Sequence, residues 1–196
     1  MKQVIAVLLA FSFYGCTRNP PLDNSSLAKP SFATEKSVAI PQCVGNTQLP
    51  VEFAGKFEAV EDEALLKLAL GEPAKGRLCQ GKVYVSQDGS DITIYRAWNS
   101  TNPNSEFGHW WAFTQPSGKV SRYRADYEIC YQWSPLDKLS RCRLKPGVKI
   151  VVGTGQSAEC SLYLTYPISA ETQIYLDDAS ALVADCTTYD NEFSWK

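Results

Sequence analysis

Six cysteines are spread over the last three quarters of this chain, and they constrain its fold more than any other feature. They are Cys43, Cys79, Cys130, Cys142, Cys160 and Cys186. Cysteine at this density is typical of an oxidising compartment, and an even number permits three disulfides in fifteen possible pairings. Proximity along the chain favours Cys130 with Cys142, then Cys160 with Cys186, which leaves Cys43 with Cys79. Zinc is the weaker interpretation, because the sequence has no C-x-x-C pair and one histidine, so we expect no bound metal.

The first sixteen residues predict export. Residues 4–14 form an apolar run that follows Lys2 and ends at Gly15-Cys16. A membrane-spanning helix needs about 20 apolar residues, so this shorter run has the length of a signal-peptide core. A small residue before a cysteine at this point resembles a bacterial lipoprotein signal, in which Cys16 carries the lipid. We therefore expect a signal peptide over residues 1–15 and an outer-membrane lipoprotein, or a periplasmic or secreted protein if ordinary cleavage occurs there instead.

A change in composition near residue 42 separates a tether from a single domain. Residues 16–41 contain four prolines and many small polar residues, without a sustained apolar period. This pattern predicts a flexible tether behind the lipid-attachment cysteine. Residues 42–196 are long enough to form one hydrophobic core. The net charge of -2, with no basic block, argues against nucleic acid as a partner, and the membrane is reached only through the lipid.

Helical patterns come early in this domain and strand patterns later, which predicts an α+β fold. Residues 57–70 have the apolar spacing of a helix, and residues 117–129 have that of a second one. Short alternating runs at residues 82–85 and 92–95 flank a turn at residues 87–90, the pattern of a β-hairpin. Further strands are predicted at residues 110–114, 139–144, 148–152 and 173–176, with a last apolar run at 181–184.

Two segments in the middle of the domain carry side chains suited to bind a ligand. Arg96 ends a predicted strand, and its guanidinium is a planar, permanently charged fork that fits a phosphate or a carboxylate. Residues 108–113 could wall a pocket for a flat ring, and they include His109, Trp110, Trp111 and Phe113. Each segment also has a structural interpretation: a surface arginine paired with an acid, and rings packed in the core. A lone histidine beside two tryptophans is likewise more often structural.

A third segment contains two polar side chains on a predicted strand. Glu171 and Gln173 lie two residues apart, so on an extended chain they face the same side. Two polar groups in that arrangement can grip a pair of ribose hydroxyls. The alternative interpretation is the solvent-facing edge of a sheet.

The order of these three segments resembles the ADP-ribosyltransferase fold, over residues 92–177. That family carries an arginine on an early strand, a polar or aromatic middle strand, and an E-x-E or Q-x-E pair on a late strand. Glutamine at the catalytic position is similar to the secreted NAD glycohydrolases of the tuberculosis necrotizing toxin type. Their K-P strand and their G-G-G-x-Q-Y segment correspond to Lys145-Pro146 and to Gln173-Ile174-Tyr175, and Ser169-Ala170-Glu171 replaces the glycine triplet.

The resemblance implies a split β-sandwich core with flanking helices and NAD as the substrate. The implied activity is cleavage of the nicotinamide–ribose bond by an NAD glycohydrolase or ADP-ribosyltransferase, of the kind carried by a toxin or effector. Arg96 would hold the diphosphate or orient the nicotinamide ribose, and Gln173 with Glu171 would fix the ribose hydroxyls. The nicotinamide pocket would be walled by Trp110, Trp111 and Phe113, with His109 placing a water or contacting the diphosphate.

A non-enzymatic surface lipoprotein is the alternative function. Such a protein would dock a protein or glycan partner through exposed tryptophans, and export favours it because NAD is scarce outside the cytoplasm. The two functions differ in one structural expectation. An enzyme must place Arg96, Trp110 and Gln173 around one cleft, whereas a binding module need not.

Overall fold

The computed structural model describes residues 42–190, so the predicted signal peptide, the lipid-attachment Cys16 and the tether lie outside the described residues. Within that range the chain forms ten strands and three short α-helices. In chain order they are β1 Phe57–Ala59, α1 Glu63–Ala69, β2 Leu78–Ser86, β3 Thr93–Trp98, β4 Trp110–Trp111, α2 Val120–Asp126, β5 Lys138–Leu144, β6 Lys149–Gly155, β7 Ala158–Ser161, β8 Leu164–Tyr166, β9 Thr172–Tyr175, α3 Ala179–Leu182 and β10 Val183–Asp190.

The strands of this range are arranged in two main sheets and one small one. A five-stranded sheet has the order β1-β2-β6-β9-β4, and a three-stranded sheet has the order β10-β5-β3. Strands β7 and β8 form a separate pair. The ladders in these sheets are antiparallel, and the helices lie outside them. The predicted α+β class is therefore confirmed.

The main core lies between the five-stranded and the three-stranded sheets. Ile150 and Val152 of β6 contribute to it from one sheet, and Ile94 of β3 and Leu144 of β5 contribute from the other. Because side chains alternate along a strand, Val151 faces the opposite side, where it joins a second cluster under α1. Strand β6 is thus buried on both faces, which explains its uninterrupted apolar sequence.

The first predicted helix is partly wrong. Residues 57–59 form strand β1, and the helix begins only at Glu63. The Asp62 carboxylate accepts a hydrogen bond of 3.0 Å from the Leu65 backbone N–H, which caps the helix at this point. Phe57 is 5% exposed and packs in the main core, so burial of this ring outweighs the helical periodicity of the segment.

The predicted hairpin at residues 82–95 is also wrong. Strand β2 pairs with β1 and β6, whereas β3 pairs with β5 in the other sheet. The turn at residues 87–90 therefore carries the chain from one sheet to the next. Ile92 and Ile94 reach the main core from the far side, and this packing separates two strands that local pattern would have joined.

The later predictions agree better with the structure. Strands β5, β6 and β9 lie where strand patterns were expected, and the strand at residues 110–114 is reduced to Trp110–Trp111. The second helix is shorter than predicted, at Val120–Asp126. The last apolar run divides between α3 and the start of β10. The β7–β8 pair was not predicted, because its polar sequence lacks a clear apolar alternation.

Three disulfides are present, and two of them differ from the pairing that chain proximity favoured. Cys43 is joined to Cys79 as expected. Cys130 is joined to Cys160, and Cys142 to Cys186. Pairing of β10 with β5 brings Cys186 beside Cys142, so the sheet register rather than sequence distance sets this bond. Cys130 is bonded instead to Cys160 in β7.

Replacing both Cys130 and Cys160 with serine is expected to lower the free energy of unfolding by about 3 kcal/mol. The bond spans 30 residues, and a closed loop of that size restricts the unfolded chain. Urea unfolding of the purified protein measures the loss. The matched control replaces Cys43 and Cys79, which span 36 residues, and it should lose a similar amount. An unchanged unfolding midpoint in the Cys130/Cys160 variant would contradict the expectation.

Candidate functional site

A cleft of about 100 Å³ opens beside β9 and brings together several polar and aromatic groups suited to a ligand. We call it the Glu128 cleft, and its lining residues are Arg77, Ala97, Trp110, Trp111, Tyr123, Tyr127, Glu128, Trp133 and Gln173. A second cavity of about 150 Å³ adjoins it and shares Ala97, Trp110 and Trp133. Arg96 lines this second cavity.

The sheet register places Gln173 and the tryptophans together. Strand β9 lies between β6 and β4, with Gln173 opposite Gly153 and with Ile174 opposite Trp111. Because Ile174 points into the main core, its neighbour Gln173 points to the other face. Gln173 is 6% exposed, so its amide is buried rather than at a solvent-facing edge.

Glu128 is the most unusual group in the cleft. It is 2% exposed, and its Oε2 accepts a hydrogen bond of 2.7 Å from Gln173 Nε2. Its other oxygen, Oε1, is buried without a hydrogen-bond partner. The carboxylate lies against Gly155, where a Cβ atom would come within 1.8 Å of Oε2. A glycine at this position is therefore necessary for the carboxylate to reach Gln173.

The electrostatics of Glu128 follow from this burial. Removal from water disfavours the charged form and raises the pKa of Glu128 to about 8, although the hydrogen bond from Gln173 acts in the opposite direction. The negative charges of Asp126 and Glu171 raise it further. The backbone of Glu128 has a φ of 49°, which is uncommon for a residue with a side chain. A strained backbone and a buried acid at one position are features that concentrate at functional sites.

The loop that carries Glu128 and Trp133 is held at two points. Arg124 of α2 donates hydrogen bonds to the backbone carbonyls of Ser134 at 2.6 Å and of Ile129 at 3.3 Å. The disulfide of Cys130 ties the same loop to β7. Trp133 is half exposed, at 51%, so it forms the outer wall of the cleft.

Arg96 supports the cleft from the adjoining cavity. Its Nε donates to the Ser105 carbonyl at 2.8 Å, and its Nη1 donates to the Trp110 carbonyl at 2.7 Å. These partners are backbone groups, not the acidic side chain expected for a surface arginine. Gly108 packs so closely against the guanidinium that a Cβ there would clash with Nη2. Burial lowers the pKa of Arg96 to about 10, so it remains cationic at neutral pH.

Besides Arg96, three predicted site residues do not line the Glu128 cleft. His109 is exposed, its Nδ1 lies 2.8 Å from the Leu176 carbonyl, and its ring stacks on Tyr175. Phe113 packs in the main core, where it stacks on Phe53 with ring centroids 4.4 Å apart. Glu171 is exposed and precedes β9, so it does not share the buried position of Gln173.

Sequence reasoning did not identify six residues of the cleft. They are Arg77, Ala97, Tyr123, Tyr127, Glu128 and Trp133. The aromatic residues at 123, 127 and 133 were visible signals, since they recur through the second predicted helix and beyond it. Glu128 had no comparable signal, because a single acid two residues before a cysteine resembles any surface residue in the sequence.

No protein-family model matches this chain, and no curated protein or solved structure is significantly similar to it. Among residues 42–190, no group of three or more histidine, cysteine or acidic side chains is placed to hold a metal ion. None of the helices in that range has the length and apolar character needed to cross a membrane. The assignment of a function therefore depends on the chemistry of the cleft.

Proposed function

We propose that this domain binds NAD in the Glu128 cleft and cleaves the nicotinamide–ribose bond, as an NAD glycohydrolase with an ADP-ribosyltransferase-like fold. One observation carries the proposal. Gln173 and the tryptophans line one cleft, and Arg96 lines the cavity that adjoins it at Trp110. The segments of Trp110 and Gln173 thus share one cleft, with Arg96 in the cavity beside it, and this arrangement supports an enzyme over a binding module.

The chemistry of the reaction suits the groups that are present. Nicotinamide leaves as a neutral molecule, so the step needs little acid–base catalysis and depends on stabilising an oxocarbenium-like ribose. The Gln173 amide, fixed by Glu128, offers its remaining hydrogen-bonding groups to the ribose hydroxyls. The aromatic walls exclude water from the ring, and a water admitted on the open side captures the ribose carbon C1′.

Positive charge at the edges of the site suits the diphosphate. Arg77 lies at the rim of the Glu128 cleft, and Arg96 lies in the adjoining cavity. Arg96 uses two of its N–H groups to hold the backbone at Ser105 and Trp110. It therefore positions the tryptophan wall in addition to supplying charge.

The direct test is incubation of the purified, oxidised chain with NAD, followed by separation of the products. We expect nicotinamide and ADP-ribose to be released in equal amounts. Label that passes from NAD onto protein would instead identify an ADP-ribosyltransferase. Absence of both turnover and NAD binding at millimolar concentration would overturn the proposal.

A partner-binding surface is the second candidate function, and one observation favours it. The tip of the β7–β8 pair exposes Leu162 at 89% and Tyr163 at 96%, which is unusual for large apolar side chains. The two surfaces can be separated by substitution. Replacing Trp133 with alanine should slow NAD cleavage, whereas replacing Leu162 and Tyr163 with serine should leave it unchanged.

A further inference from the structure

We propose that the Glu128 cleft is a binding site for a flat organic cation, with the Glu128 carboxylate as its counter-ion. This inference deepens the proposed function and rests on it for the identity of the natural ligand, the positively charged nicotinamide ring of NAD. The binding chemistry itself can be tested without NAD turnover. Nothing in the sequence pattern assigned a role to Glu128.

The first argument is the unpartnered oxygen. Glu128 Oε2 accepts from Gln173 Nε2, and the Ser169 hydroxyl also lowers the pKa of this carboxyl group, but Oε1 is buried and has no hydrogen-bond partner. Leaving a buried polar atom unpaired costs about 1–3 kcal/mol. A ligand that interacts with Oε1 would recover this cost, so Glu128 is suited to bind one in the cleft.

The second argument is the aromatic lining. Aromatic residues line the cleft together with Glu128, namely Trp110, Tyr123, Tyr127 and Trp133, whereas Trp111 is also part of the main core. Aromatic faces attract cations through their quadrupole, and tryptophan does so most strongly. A buried carboxylate among aromatic rings favours a desolvated organic cation over a strongly hydrated metal ion. The ligand class follows from this combination.

The charged groups around Glu128 also favour the binding of a cation. The negative charges of Asp126 and Glu171 act on Glu128, and Asp126 is itself paired with Arg122 at 2.7 Å. Arg77 is the cation that lines the cleft, but its Nη1 donates to the Leu68 carbonyl at 3.2 Å, away from Glu128. Arg77 is therefore placed for the diphosphate of NAD, while the interior of the cleft favours positive charge.

Cation binding should release a proton. Burial raises the pKa of Glu128 to about 8, so at pH 7 the empty cleft holds the neutral acid. A cation stabilises the carboxylate and displaces its proton to the solvent. A ligand that bound through its neutral surface would leave the proton in place. Proton release thus reports the counter-ion role separately from affinity.

The experiment compares two probes that differ mainly in charge. The N-methylnicotinamide cation and neutral nicotinamide are titrated into the oxidised chain at pH 7, by calorimetry in buffers of different ionisation enthalpy. We expect the cation to bind about tenfold more tightly and to release close to one proton. Equal affinities, absent cation binding at millimolar concentration, or binding without proton release would each overturn the proposal.

Two variants assign the effect to one side chain. Glu128→Gln keeps an oxygen that can accept from Gln173, so the fold is preserved while the charge is lost, and the preference for the cation should disappear. Glu52→Gln makes the same charge change at an exposed position that does not line the cleft, and the preference should persist. A preference that survives in Glu128→Gln contradicts the assignment.

The outcomes also separate this inference from the proposed function. If the protein prefers the cation through Glu128 but releases no nicotinamide from NAD, the cation-binding site is supported and the proposed enzymatic activity is refuted. If the protein shows no cation preference and Glu128→Gln releases nicotinamide at an unchanged rate, the enzymatic activity is supported and the counter-ion role of Glu128 is refuted.

Discussion

Replacing Gln173 with alanine is expected to slow nicotinamide release from NAD by about 100-fold or more. A positioned hydrogen-bonding group that acts on the developing charge contributes about this much to a rate. Gln173 meets the requirement because its amide is buried and is held by a 2.7 Å hydrogen bond to Glu128. Alanine removes the amide and leaves Glu128 without a donor. The measurement is kcat at saturating NAD, with nicotinamide quantified directly.

The control for this experiment is the same substitution at Gln87, an exposed residue in the turn between the two sheets. It should leave the rate unchanged. Because Gln173→Ala leaves a buried carboxyl unsatisfied, it should also lower the free energy of unfolding by about 1–3 kcal/mol. Near-ultraviolet circular dichroism confirms that the assayed variant is folded. A folded Gln173→Ala protein that keeps more than a third of the rate would place the reaction elsewhere.

Replacing Glu128 with glutamine is expected to stabilise the protein at alkaline pH and to do little in acid. Burial raises the pKa of Glu128 from 4.5 to about 8, so between these values the folded state holds a proton that the unfolded chain has released. The stability of the wild-type protein therefore falls as the pH rises through this interval. One pKa unit corresponds to about 1.4 kcal/mol, so the full loss approaches roughly 5 kcal/mol above pH 8.

Glutamine does not ionise, so the variant avoids this loss. We expect its free energy of unfolding to exceed that of the wild type by about 3 kcal/mol or more at pH 8.5, and by less than about 1 kcal/mol at pH 5. Urea unfolding at the two pH values gives both numbers. Glu52→Gln provides the matched control, because it makes the same change at an exposed position that does not line the cleft. A difference of equal size at both pH values would refute the explanation by ionisation.

The strands of the core could be predicted because their signal is local. Residues 139–144 and 148–152 carry continuous or alternating apolar patterns, and both fall in strands. Residues 57–70 carry a helical pattern just as clear, yet their first three form a strand because Phe57 is needed in the core. Burial of the Phe57 ring depends on residues far away in the sequence, so the apolar periodicity of the segment cannot predict it.

The candidate site divides in the same way. Gln173 and Trp110 were predicted from the order of segments, and both line the Glu128 cleft. Glu128 was missed because its burial depends on a left-handed backbone turn after α2 and on the absence of a side chain at Gly155. Glu171 was chosen for its spacing to Gln173, but it precedes the strand that would have aligned the two.

The disulfide between Cys130 and Cys160 also determines when the loop of the cleft is fully anchored. Cys130 stands two residues after Glu128 and three before Trp133, so two walls of the cleft belong to the loop that this bond fastens to β7. Cytoplasmic surroundings keep thiols reduced, and there the loop lacks one of its anchors. The loop of the cleft therefore gains its second anchor only when the bond between Cys130 and Cys160 forms. Before the bond forms, a newly made chain carries the residues of the cleft without this anchor of the loop.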